Sequence, residues 1–307
     1  MKVLVATEKP FAGVAVKGIR EIVESAGHKF ATLEKYTDKK DLLKAVKDAD
    51  ALIVRSDKVT AEVVEAAKNL KIVVRAGAGY DNLDLDALSA AKVVAMNTPG
   101  QNSNAVAELA VSFMVYMSRN QYTPATGSEL KGKTLGVQAY GNVGRLVANI
   151  AKGFGMNIMA FDPFIPAEKI EADGVKVASS LEELYSSSNF ISLHIPVTPQ
   201  TKGSIGYALL NRMPKGGCLV NTARKEVINE AELVKVLTER EDLKYITDIA
   251  ADNQAELNEK FGVRVFATPK KMGAQTSEAN INAGLAAARQ ICDFFATGNT
   301  RFQLNRF

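Results

Sequence analysis

The chain has 307 residues, of which 47% are hydrophobic and 23% charged, and its formal net charge is +4. This length allows two domains with separate cores, and the mild charge does not indicate a nucleic-acid partner. No apolar run approaches the length of a membrane span, and the N-terminal residues pass directly into a predicted strand instead of forming a secretory signal. We therefore expect a cytoplasmic protein that binds neither membranes nor nucleic acid.

Cysteine and histidine are scarce in this chain. Cys218 and Cys292 lie among apolar residues, which predicts buried, reduced thiols, although the sequence leaves a disulfide open. His28 and His194 are far apart and give no metal-ligand spacing, so no metal site is predicted. His28 stands at the start of a predicted strand, where a structural role is expected.

The first hundred residues alternate between strand and helix patterns. Strands are predicted at residues 2–6, 28–33, 51–54, 72–74 and 93–95, and helices at residues 14–26, 39–48 and 60–69, the last with Thr60 as its N-cap. The uninterrupted apolar run at 51–54 is typical of a parallel strand buried on both faces. A long helix at residues 102–120, apolar on several sides, and a polar linker at residues 121–130 follow.

The alternation continues in the second half of the chain. Strands are predicted at residues 134–138, 157–161, 175–177, 190–194, 217–224, 245–248 and 264–267, and helices at about 143–150 and at 165–172, 181–186, 207–212, 229–238 and 276–295. The last helix is expected to return to the first module. This pattern predicts an α/β fold with two doubly wound parallel-sheet domains.

The loop after the strand at 134–138 has the layout of a dinucleotide-binding βαβ unit. Its sequence is Ala139-Tyr-Gly-Asn-Val-Gly144, and Asp162 ends the next apolar run. In such a unit the backbone approaches a pyrophosphate at the helix N-terminus, and the carboxylate binds the ribose hydroxyls. Ala139 stands where the G-x-G-x-x-G fingerprint has its first glycine. An ordinary strand-turn-helix corner is the alternative interpretation of this degraded motif.

Further polar residues stand at predicted strand ends, where open α/β sheets bind their ligands. Arg55 and Arg75 follow the third and fourth strands, and small residues after Arg75 offer backbone N–H groups to an anion. Arg224 and Asp248 end two later strands, and residues 269–276 follow the last. A solvated surface charge is the alternative for either early arginine.

These ordered motifs resemble the D-2-hydroxyacid dehydrogenase family over about residues 54–284. The resemblance rests on Val54-Arg-Ser, Arg75-Ala-Gly-Ala-Gly-Tyr-Asp-Asn-Leu-Asp84, Asn97-Thr-Pro, Asn102-Ser103, Glu129-Leu-Lys-Gly-Lys-Thr-Leu-Gly136, Leu193-His-Ile-Pro, Thr198-Pro, Val220-Asn-Thr-Ala-Arg224 and Met272-Gly-Ala. It implies a Rossmann NAD-binding domain at residues 98–284 and a flavodoxin-like substrate domain at residues 1–97 and 285–307. The end at Phe307 predicts a form without the regulatory C-terminal domains of some relatives.

The resemblance also implies roles for individual residues. Arg224 and Lys271 are the implied catalytic residues, with Arg224 holding the substrate carboxylate and polarising its C2 oxygen. The implied substrate-binding residues are Arg55, Arg75, Ala76, Gly77 and Asn102, with the arginines and Asn102 near a remote phosphate. The implied cofactor-binding residues are Ala78, Tyr140, Gly141, Asn142, Val143, Asp162, His194, Ile195, Pro196, Thr222, Ala223, Asp248, Gly273 and Ala274. Asp162 favours NAD over NADP because a carboxylate repels a 2′-phosphate.

The acid/base pair departs from the family pattern. Relatives use a histidine oriented by a glutamate, and counting back from Met272-Gly273 places Lys271 at the histidine position. Counting forward from Pro269 selects Lys270 instead. The glutamate position falls on Asn253, with Asp252 beside it. His194 belongs to the nucleotide-side loop in the family, so it is not assigned the proton transfer.

The resemblance implies oxidation of 3-phosphoglycerate to 3-phosphohydroxypyruvate by NAD, a first step of serine biosynthesis. Lys271 would take the hydroxyl proton, which requires its pKa to be depressed by Arg224 and by partial desolvation. Both lysines could instead neutralise the substrate phosphate. Another D-2-hydroxyacid dehydrogenase, a glyoxylate or hydroxypyruvate reductase, and a catalytically silent NAD(H)-sensing protein are the alternative functions. A homodimer through the helix at 102–120 is also implied.

Overall fold

The computed structural model describes residues 1–307, in which twelve strands and twelve α-helices alternate. The strands are β1 (Lys2–Thr7), β2 (Lys29–Glu34), β3 (Ala51–Val54), β4 (Ile72–Arg75), β5 (Val94–Asn97), β6 (Thr134–Gln138), β7 (Asn157–Phe161), β8 (Lys176–Val177), β9 (Phe190–Leu193), β10 (Cys218–Asn221), β11 (Lys244–Thr247) and β12 (Val265–Ala267). The helices are α1 (Gly13–Ser25), α2 (Lys39–Ala45), α3 (Ala61–Ala66), α4 (Leu85–Ala90), α5 (Ser103–Ser118), α6 (Asn142–Gly153), α7 (Ala167–Glu171), α8 (Leu181–Ser187), α9 (Tyr207–Leu210), α10 (Glu230–Glu239), α11 (Gln254–Phe261) and α12 (Ser277–Thr297).

The chain divides into two compact units. Unit 1 comprises Met1–Asn102 and Gln275–Phe307, and unit 2 comprises Ser103–Ala274. The last helix, α12, therefore belongs with the first module, as the sequence predicted. These divisions lie five and ten residues from the predicted domain boundaries, because residues 98–102 and residues 275–284, which include the start of α12, were assigned to the NAD-binding domain.

Unit 1 is built on a parallel sheet of five strands in the order β2-β1-β3-β4-β5, the flavodoxin-like order. Alternate residues of β1 enter different cores: Val3 and Val5 join one apolar cluster, and Leu4 and Ala6 join the other. Both faces of the sheet are therefore covered, which explains the uninterrupted apolar strands. α12 packs against α1 so closely that a Cβ on Gly18 would lie 2.6 Å from Leu285 Cδ2.

Unit 2 is built on a parallel sheet of seven strands in the order β12-β11-β10-β9-β6-β7-β8. From β8 to β11 this is the Rossmann order, with β12 added at the far edge. Two apolar clusters cover the faces of the sheet. The predicted fold class, two doubly wound parallel-sheet domains, is confirmed.

Several elements differ from their sequence predictions. The predicted strand at 217–224 ends at Asn221, so Arg224 lies in the following loop, before a short 3-10 helix at Lys225–Val227. α4 and α11 were not predicted, because both are short and α11 is mostly polar. The predicted linker at 121–130 begins with a 3-10 turn, Asn120–Tyr122, in which all three residues have positive φ.

The N-cap residues of three helices differ in whether their side chains form a capping hydrogen bond. Ser180 and Asn229 accept hydrogen bonds from the third residues of α8 and α10, respectively. Thr60 occupies the N-cap position of α3, but the prediction that its side chain caps the helix is wrong, because Thr60 Oγ1 is buried without a partner. Both cysteines are free; Cys218 is buried, whereas Cys292 is only half-buried, contrary to its prediction. None of the helices is long and apolar enough to cross a membrane.

Candidate active site

The loop between β6 and α6 lies where the strand order of the unit 2 sheet reverses. β6 has β7 on one side and β9 on the other, so the chain leaves β6 and β9 toward opposite faces of the sheet. Open α/β sheets bind their ligands in the crevice that forms between two such loops. The fold therefore places the predicted dinucleotide loop, residues 139–144, at the expected ligand position of its sheet.

The alanine in the fingerprint occupies a backbone conformation that favours glycine. Ala139 has φ of 73° and donates its N–H to the Phe161 carbonyl at 2.9 Å. A Cβ on Gly144 would lie 2.2 Å from the Ala139 carbonyl oxygen, so the loop closes only with glycine at that position. The loop geometry is therefore the one expected from the motif, with local strain at Ala139.

The N-terminus of α6 is open for an anion. Gly141 is the N-cap, and a Cβ placed on it would meet no atom within 4 Å. Gly141 and Asn142, the first helical residue, are exposed, whereas Val143 is half-buried and packs on the core beneath. The unpaired N–H groups and the helix dipole favour negative charge at this end.

Asp162 follows β7 and is bound by backbone N–H groups. Its carboxylate accepts hydrogen bonds from Tyr140 N and Phe164 N, both at 2.8 Å. A second lone pair remains on each oxygen for an additional donor such as a ribose hydroxyl. The buried Tyr140 side chain donates to Asp173 at 3.1 Å, and burial followed by this bond raises the pKa of Tyr140 to about 12.

His194 lies in the loop immediately after β9, next to the dinucleotide loop in the sheet order. Its backbone N–H donates to the Gln138 carbonyl at 3.0 Å, and its Nε2 lies 2.9 Å from Ser192 Oγ. Desolvation lowers the pKa of His194 to about 3, so the ring is neutral near neutral pH. Ile195 is buried in the core, while Pro196 is exposed and accepts a hydrogen bond from Thr201 Oγ1.

Two buried oxygen atoms without partners lie at the carboxyl ends of β10 and β11. They are Thr222 Oγ1 and Asp248 Oδ1. Asp248 Oδ2 accepts a hydrogen bond from Gly273 N at 2.6 Å, and a Cβ on Gly273 would lie 2.8 Å from the same oxygen. Ala223 is also buried, and Ala274, half-buried, follows Gly273.

Arg224 and Lys271 both act on the Asp248 carboxyl. Burial raises the pKa of Asp248, while the Gly273 backbone hydrogen bond and the charges of Lys271 and Arg224 oppose this shift. Arg224 is half-buried, and its Nη1 donates to the Ala223 carbonyl at 2.9 Å. Lys271 is exposed. The charges of both predicted catalytic residues thus lower the pKa of one buried carboxyl group.

The alternative acid/base residues have other environments. Lys270 is exposed, and its carbonyl accepts from Thr268 Oγ1 at 2.7 Å. Asp252 is exposed and pairs with Lys225 at 2.5 Å. Asn253 is the N-cap of α11, and its Oδ1 is buried without a partner. Of the two candidates for the missing glutamate, Asp252 is therefore already used in an ion pair.

Arg55 follows β3 in unit 1, beside the loop that follows β1. Its Nη1 donates to the carbonyls of Lys9 and Pro10, both at 3.1 Å, and its Nη2 donates to Asn280 Oδ1 at 2.5 Å. Its guanidinium also lies 5.1 Å from the centre of the Phe11 ring. These bonds use at most three of its five N–H donors, so others remain for an anion.

Arg75 ends β4 and lies against the glycine-rich segment that follows. Its Nε donates to the Arg55 carbonyl at 3.0 Å, and its Nη1 occupies the position that a Cβ of Gly77 would need, 1.5 Å away. Gly77 has φ of 145°, so both its backbone conformation and the adjacent Arg75 guanidinium exclude a side chain there. Ala76 is buried and Ala78 half-buried, the Ala78 carbonyl accepting from Asn97 Nδ2 at 2.6 Å.

Three contributors to the unit 1 site were missed by the sequence prediction. Asn280 on α12 binds Arg55 across 225 positions of sequence, which no local pattern indicates. Asp57, two residues after Arg55, is a buried carboxylate that accepts from Arg55 N at 3.3 Å. Its position directly after the Arg-Ser motif was an available signal. Asn82 donates to the Asp57 carbonyl at 2.7 Å, whereas Asn102, which was predicted, is half-buried one residue before α5.

The residues of unit 2 fit a dinucleotide. The open N-terminus at Gly141 suits a pyrophosphate, and the Asp162 carboxylate suits ribose hydroxyls. The unpartnered Asp248 Oδ1 and Thr222 Oγ1 are acceptors that a bound amide or hydroxyl group could satisfy.

Comparison with known proteins gives the same assignment. A family model described as the NAD binding domain of D-isomer specific 2-hydroxyacid dehydrogenases matches residues 109–270. The chain is 39% identical over 268 residues to D-3-phosphoglycerate dehydrogenase of Methanocaldococcus jannaschii, covering 82% of this chain and 51% of that protein. It is 35% identical to hydroxypyruvate reductase of Thermotoga maritima, covering 83% and 88% of the two chains. The chain thus spans about half the length of the phosphoglycerate dehydrogenase it matches.

The fold is shared with a solved structure over the whole chain. The NAD+-bound 3-phosphoglycerate dehydrogenase of Entamoeba histolytica is 52% identical, with a TM-score of 0.89, covering 100% of this chain and 99% of that chain. D-lactate dehydrogenase from Escherichia coli has a TM-score of 0.78 at 25% identity, covering 99% and 100%. The predicted family and the predicted cofactor, NAD, are confirmed. This chain belongs to the D-isomer specific 2-hydroxyacid dehydrogenases, a family of NAD-dependent oxidoreductases.

Proposed function

We propose that the chain oxidises 3-phosphoglycerate to 3-phosphohydroxypyruvate with NAD. The observation that supports this most strongly is that the charges of Arg224 and Lys271 both act on the buried Asp248 carboxyl, which follows a strand of a Rossmann sheet. Bound NAD supplies the hydride acceptor: the C2–H bond breaks with its electron pair, the hydroxyl proton leaves, and a C2 carbonyl forms. The residues of the chain then have to orient the substrate and transfer one proton.

Arg224 is proposed to bind the substrate carboxylate and the C2 oxygen. A guanidinium is planar and presents donors in pairs, which matches a carboxylate and a developing carbonyl. Its Nη1 is held by the Ala223 carbonyl at 2.9 Å, which limits the rotation of the group. A positive charge fixed in this way stabilises the negative charge that develops on oxygen in the transition state.

Lys271 is proposed to be the acid/base group. Support comes from Asp248, because the charge of Lys271 lowers the pKa of its carboxyl. On oxidation the Lys271 amine takes the proton from the C2 hydroxyl, and on reduction its ammonium returns it. Lys270 remains the alternative, and a role of both lysines in neutralising the phosphate remains the competing proposal.

The phosphate of the substrate is proposed to bind at Arg55 with Arg75. Both arginines are in unit 1, and Arg55 lies at the point where the order of that sheet reverses, between β1 and β3. The Arg75 guanidinium covers Gly77, so two positive groups and a glycine-rich backbone lie together. This arrangement favours a substrate with a second negative charge.

The cofactor preference is proposed to depend on Asp162. Its carboxylate is fixed by two backbone N–H groups, so it cannot easily turn away from a 2′-phosphate. The charge repulsion disfavours NADP, while the free hydroxyls of NAD can donate to it.

The proposal is tested by initial rates with NAD on a panel of D-2-hydroxy acids. We expect the largest kcat/KM with 3-phosphoglycerate and much smaller values with glycerate and lactate. An equal or larger value with an unphosphorylated acid would reject the substrate assignment. Tight NADH binding without turnover of any hydroxy acid would instead support the NAD(H)-sensing alternative.

A hydroxypyruvate reductase is the second candidate function. The observation that favours it is the match to the Thermotoga maritima hydroxypyruvate reductase, 88% of which is covered. The same panel, run in the reduction direction with NADH, separates the two candidates. A preference for hydroxypyruvate over its phosphorylated form would favour the reductase.

We also propose a homodimer in which α5 takes part. α5 has buried residues on several sides, yet Leu109, Val115 and Tyr116 remain only half-buried. Light scattering of the purified protein tests this, and a monomer at micromolar concentration would contradict it. With this substrate assignment, the reaction has a place in serine biosynthesis.

A further inference from the structure

The strand order of unit 1 reverses between β1 and β3, and a buried carboxylate lies between the loops that follow these two strands. β1 ends at Thr7 and β3 at Val54. Asp57 follows β3 by three residues, and only 2% of its surface is exposed. A buried carboxylate is costly unless donors surround it, so its partners indicate what it stabilises.

The Asp57 carboxylate joins three segments of unit 1. Its Oδ1 accepts from Glu8 N at 2.6 Å and from Tyr36 Oη at 2.8 Å. Its Oδ2 accepts from Arg55 N at 3.3 Å. Desolvation and the bond to Asp57 raise the pKa of Tyr36, so the phenol stays a donor at all ordinary pH values. Asp57 therefore connects the loop after β1, the residues after β2 and the main chain of Arg55.

The loop that Asp57 holds at Glu8 is the one that orients the Arg55 side chain. Directly after Glu8, the carbonyls of Lys9 and Pro10 accept from Arg55 Nη1. The Arg55 main chain and the acceptors of its guanidinium are thus tied to the same carboxylate. Asn82 completes this network by donating to the carbonyls of both Asp57 and Arg55, at 2.7 and 3.3 Å.

We propose that Asp57 is a positioning residue that sets the selectivity for phosphorylated substrates by fixing Arg55. This rests on the proposed function, in which Arg55 binds the substrate phosphate. Asp57 faces main-chain N–H groups and a phenol and directs no oxygen of its carboxylate to the Arg55 guanidinium. The Asp57 carboxylate therefore accepts hydrogen bonds from the loops. The remaining N–H donors of the Arg55 guanidinium are available to the substrate phosphate.

The variant Asp57→Asn distinguishes the roles of the two oxygens of this carboxylate. The amide oxygen can still accept from Glu8 N and Tyr36 Oη, but the amide nitrogen then faces the N–H of Arg55, donor against donor. We expect KM for 3-phosphoglycerate to rise by about tenfold, the effect of losing one hydrogen bond to a charged group. kcat for 3-phosphoglycerate and the KM for an unphosphorylated acid such as D-glycerate should change less than about twofold, because neither depends on Arg55.

Two matched controls identify the origin of the effect. Tyr36→Phe removes the phenol donor from the same carboxylate and should lower thermal stability without changing the ratio of the two KM values. Asp84→Asn alters another carboxylate of unit 1, which caps α4 through Ala87 N at 2.9 Å, and should leave the ratio unchanged. An equal rise of both KM values in Asp57→Asn, or the same selective rise in Tyr36→Phe, would overturn the proposal.

Failure of this inference can be distinguished from failure of the proposed function by Arg55→Leu. If Arg55→Leu does not raise the KM for 3-phosphoglycerate selectively, the phosphate assignment itself is wrong. If it does, but Asp57→Asn does not, only the positioning role is wrong. Should Asp57→Asn not fold, Asn82→Ala loosens the same main-chain segment from the other side and must show the selective rise in KM.

Discussion

Arg55 and Arg75 of unit 1 differ from Asp248 and Lys271 of unit 2 in how the protein holds them. In unit 1, Arg55 is fixed by two main-chain carbonyls and by Asn280, and Arg75 by the Arg55 carbonyl. In unit 2, Asp248 is fully buried with one oxygen unpartnered, and Lys271 is exposed. The chain itself thus holds the two arginines of unit 1, whereas Asp248 Oδ1 in unit 2 has no partner within the chain.

This difference has an energetic consequence. Hydrogen bonds to main-chain carbonyls stabilise unit 1 and preset the arginines, so binding there requires little ordering. Burial of Asp248 raises its pKa, which means that the ionised carboxylate destabilises the folded state of unit 2. Strained or unsatisfied groups of this kind are commonly found at functional sites. We therefore expect changes in unit 2 to alter catalysis most, and some of them to improve stability.

The largest effect is expected from Arg224→Lys. Lysine keeps the charge but loses the paired donors that would bind both substrate oxygens. By analogy with the loss of one donor to a developing oxyanion, kcat should fall by about 10² to 10³-fold. Steady-state kinetics with 3-phosphoglycerate measures this, with NADH affinity from fluorescence titration as the control. Near-normal kcat in this variant would remove Arg224 from the mechanism.

A smaller effect on activity but a gain in stability is expected from Asp248→Asn. Its amide oxygen can accept from Gly273 N without placing a charge in the buried site. Because the folded pKa is raised, ionised Asp248 costs stability at pH above that pKa, and the cost disappears as the pH falls below the ordinary aspartate value, about 3.9. The variant should therefore melt a few degrees higher than the parent at neutral pH.

The pH dependence of the melting temperatures tests whether the charge of Asp248 causes the difference. The difference in melting temperature between Asp248→Asn and the parent should shrink as the pH is lowered toward about 4, where the parent carboxyl is neutral. A difference that is independent of pH would show that the charge of Asp248 is not its cause. Weaker NAD binding in the variant is expected because the unpartnered acceptor, Asp248 Oδ1, is replaced by a donor.

The smallest effect is expected from Ala139→Gly. A left-handed conformation costs a non-glycine residue about 1 to 2 kcal/mol, and the greater freedom of glycine in the unfolded chain offsets about 0.5 to 1 kcal/mol of the gain. Chemical denaturation should show a net stabilisation of at most about 1.5 kcal/mol. Destabilisation would mean that the Ala139 methyl packs usefully despite its φ.

Gly141→Ala is the matched control within the same loop. A Cβ at Gly141 meets no atom within 4 Å, so the folded state should tolerate it. Its methyl would instead occupy the open side of the helix N-terminus, so NAD affinity should fall while stability is retained. A loss of stability in Gly141→Ala with unchanged NAD affinity would contradict the assignment of Gly141 to the side of the loop that the ligand approaches.

The sequence predicted both sheets and the ligand loop because strand period, burial and strand-end residues are local signals. Arg224, Asp248 and Lys271 could be grouped because parallel strands bring their carboxyl ends to one edge. Side-chain orientation was less accessible: Thr60 has the right residue type for a cap but does not bond. The contact of Arg55 with Asn280 forms because α12 returns to unit 1. No sequence spacing predicts which residue of α12 will reach Arg55.

By its spacing from Met272-Gly273, Lys271 stands where the family pattern has its acid/base histidine. In the structure the charge of Lys271 lowers the pKa of the Asp248 carboxyl. Asp252 pairs with Lys225, and Asn253 occupies the N-cap position of α11 without a side-chain cap bond. A lysine base predicts a more alkaline pH dependence than a histidine base, because its ordinary pKa is higher.

The most direct test is the pH dependence of kcat/KM for 3-phosphoglycerate oxidation, from about pH 6 to about pH 10, in the parent, Lys271→His and Lys270→Ala. With Lys271 as the base, the parent should gain activity into the alkaline range, and Lys271→His should rise instead near the ordinary histidine pKa, about 6.5. Lys270→Ala should follow the parent. An unchanged profile in Lys271→His, or loss of the alkaline rise in Lys270→Ala, would contradict the assignment of Lys271.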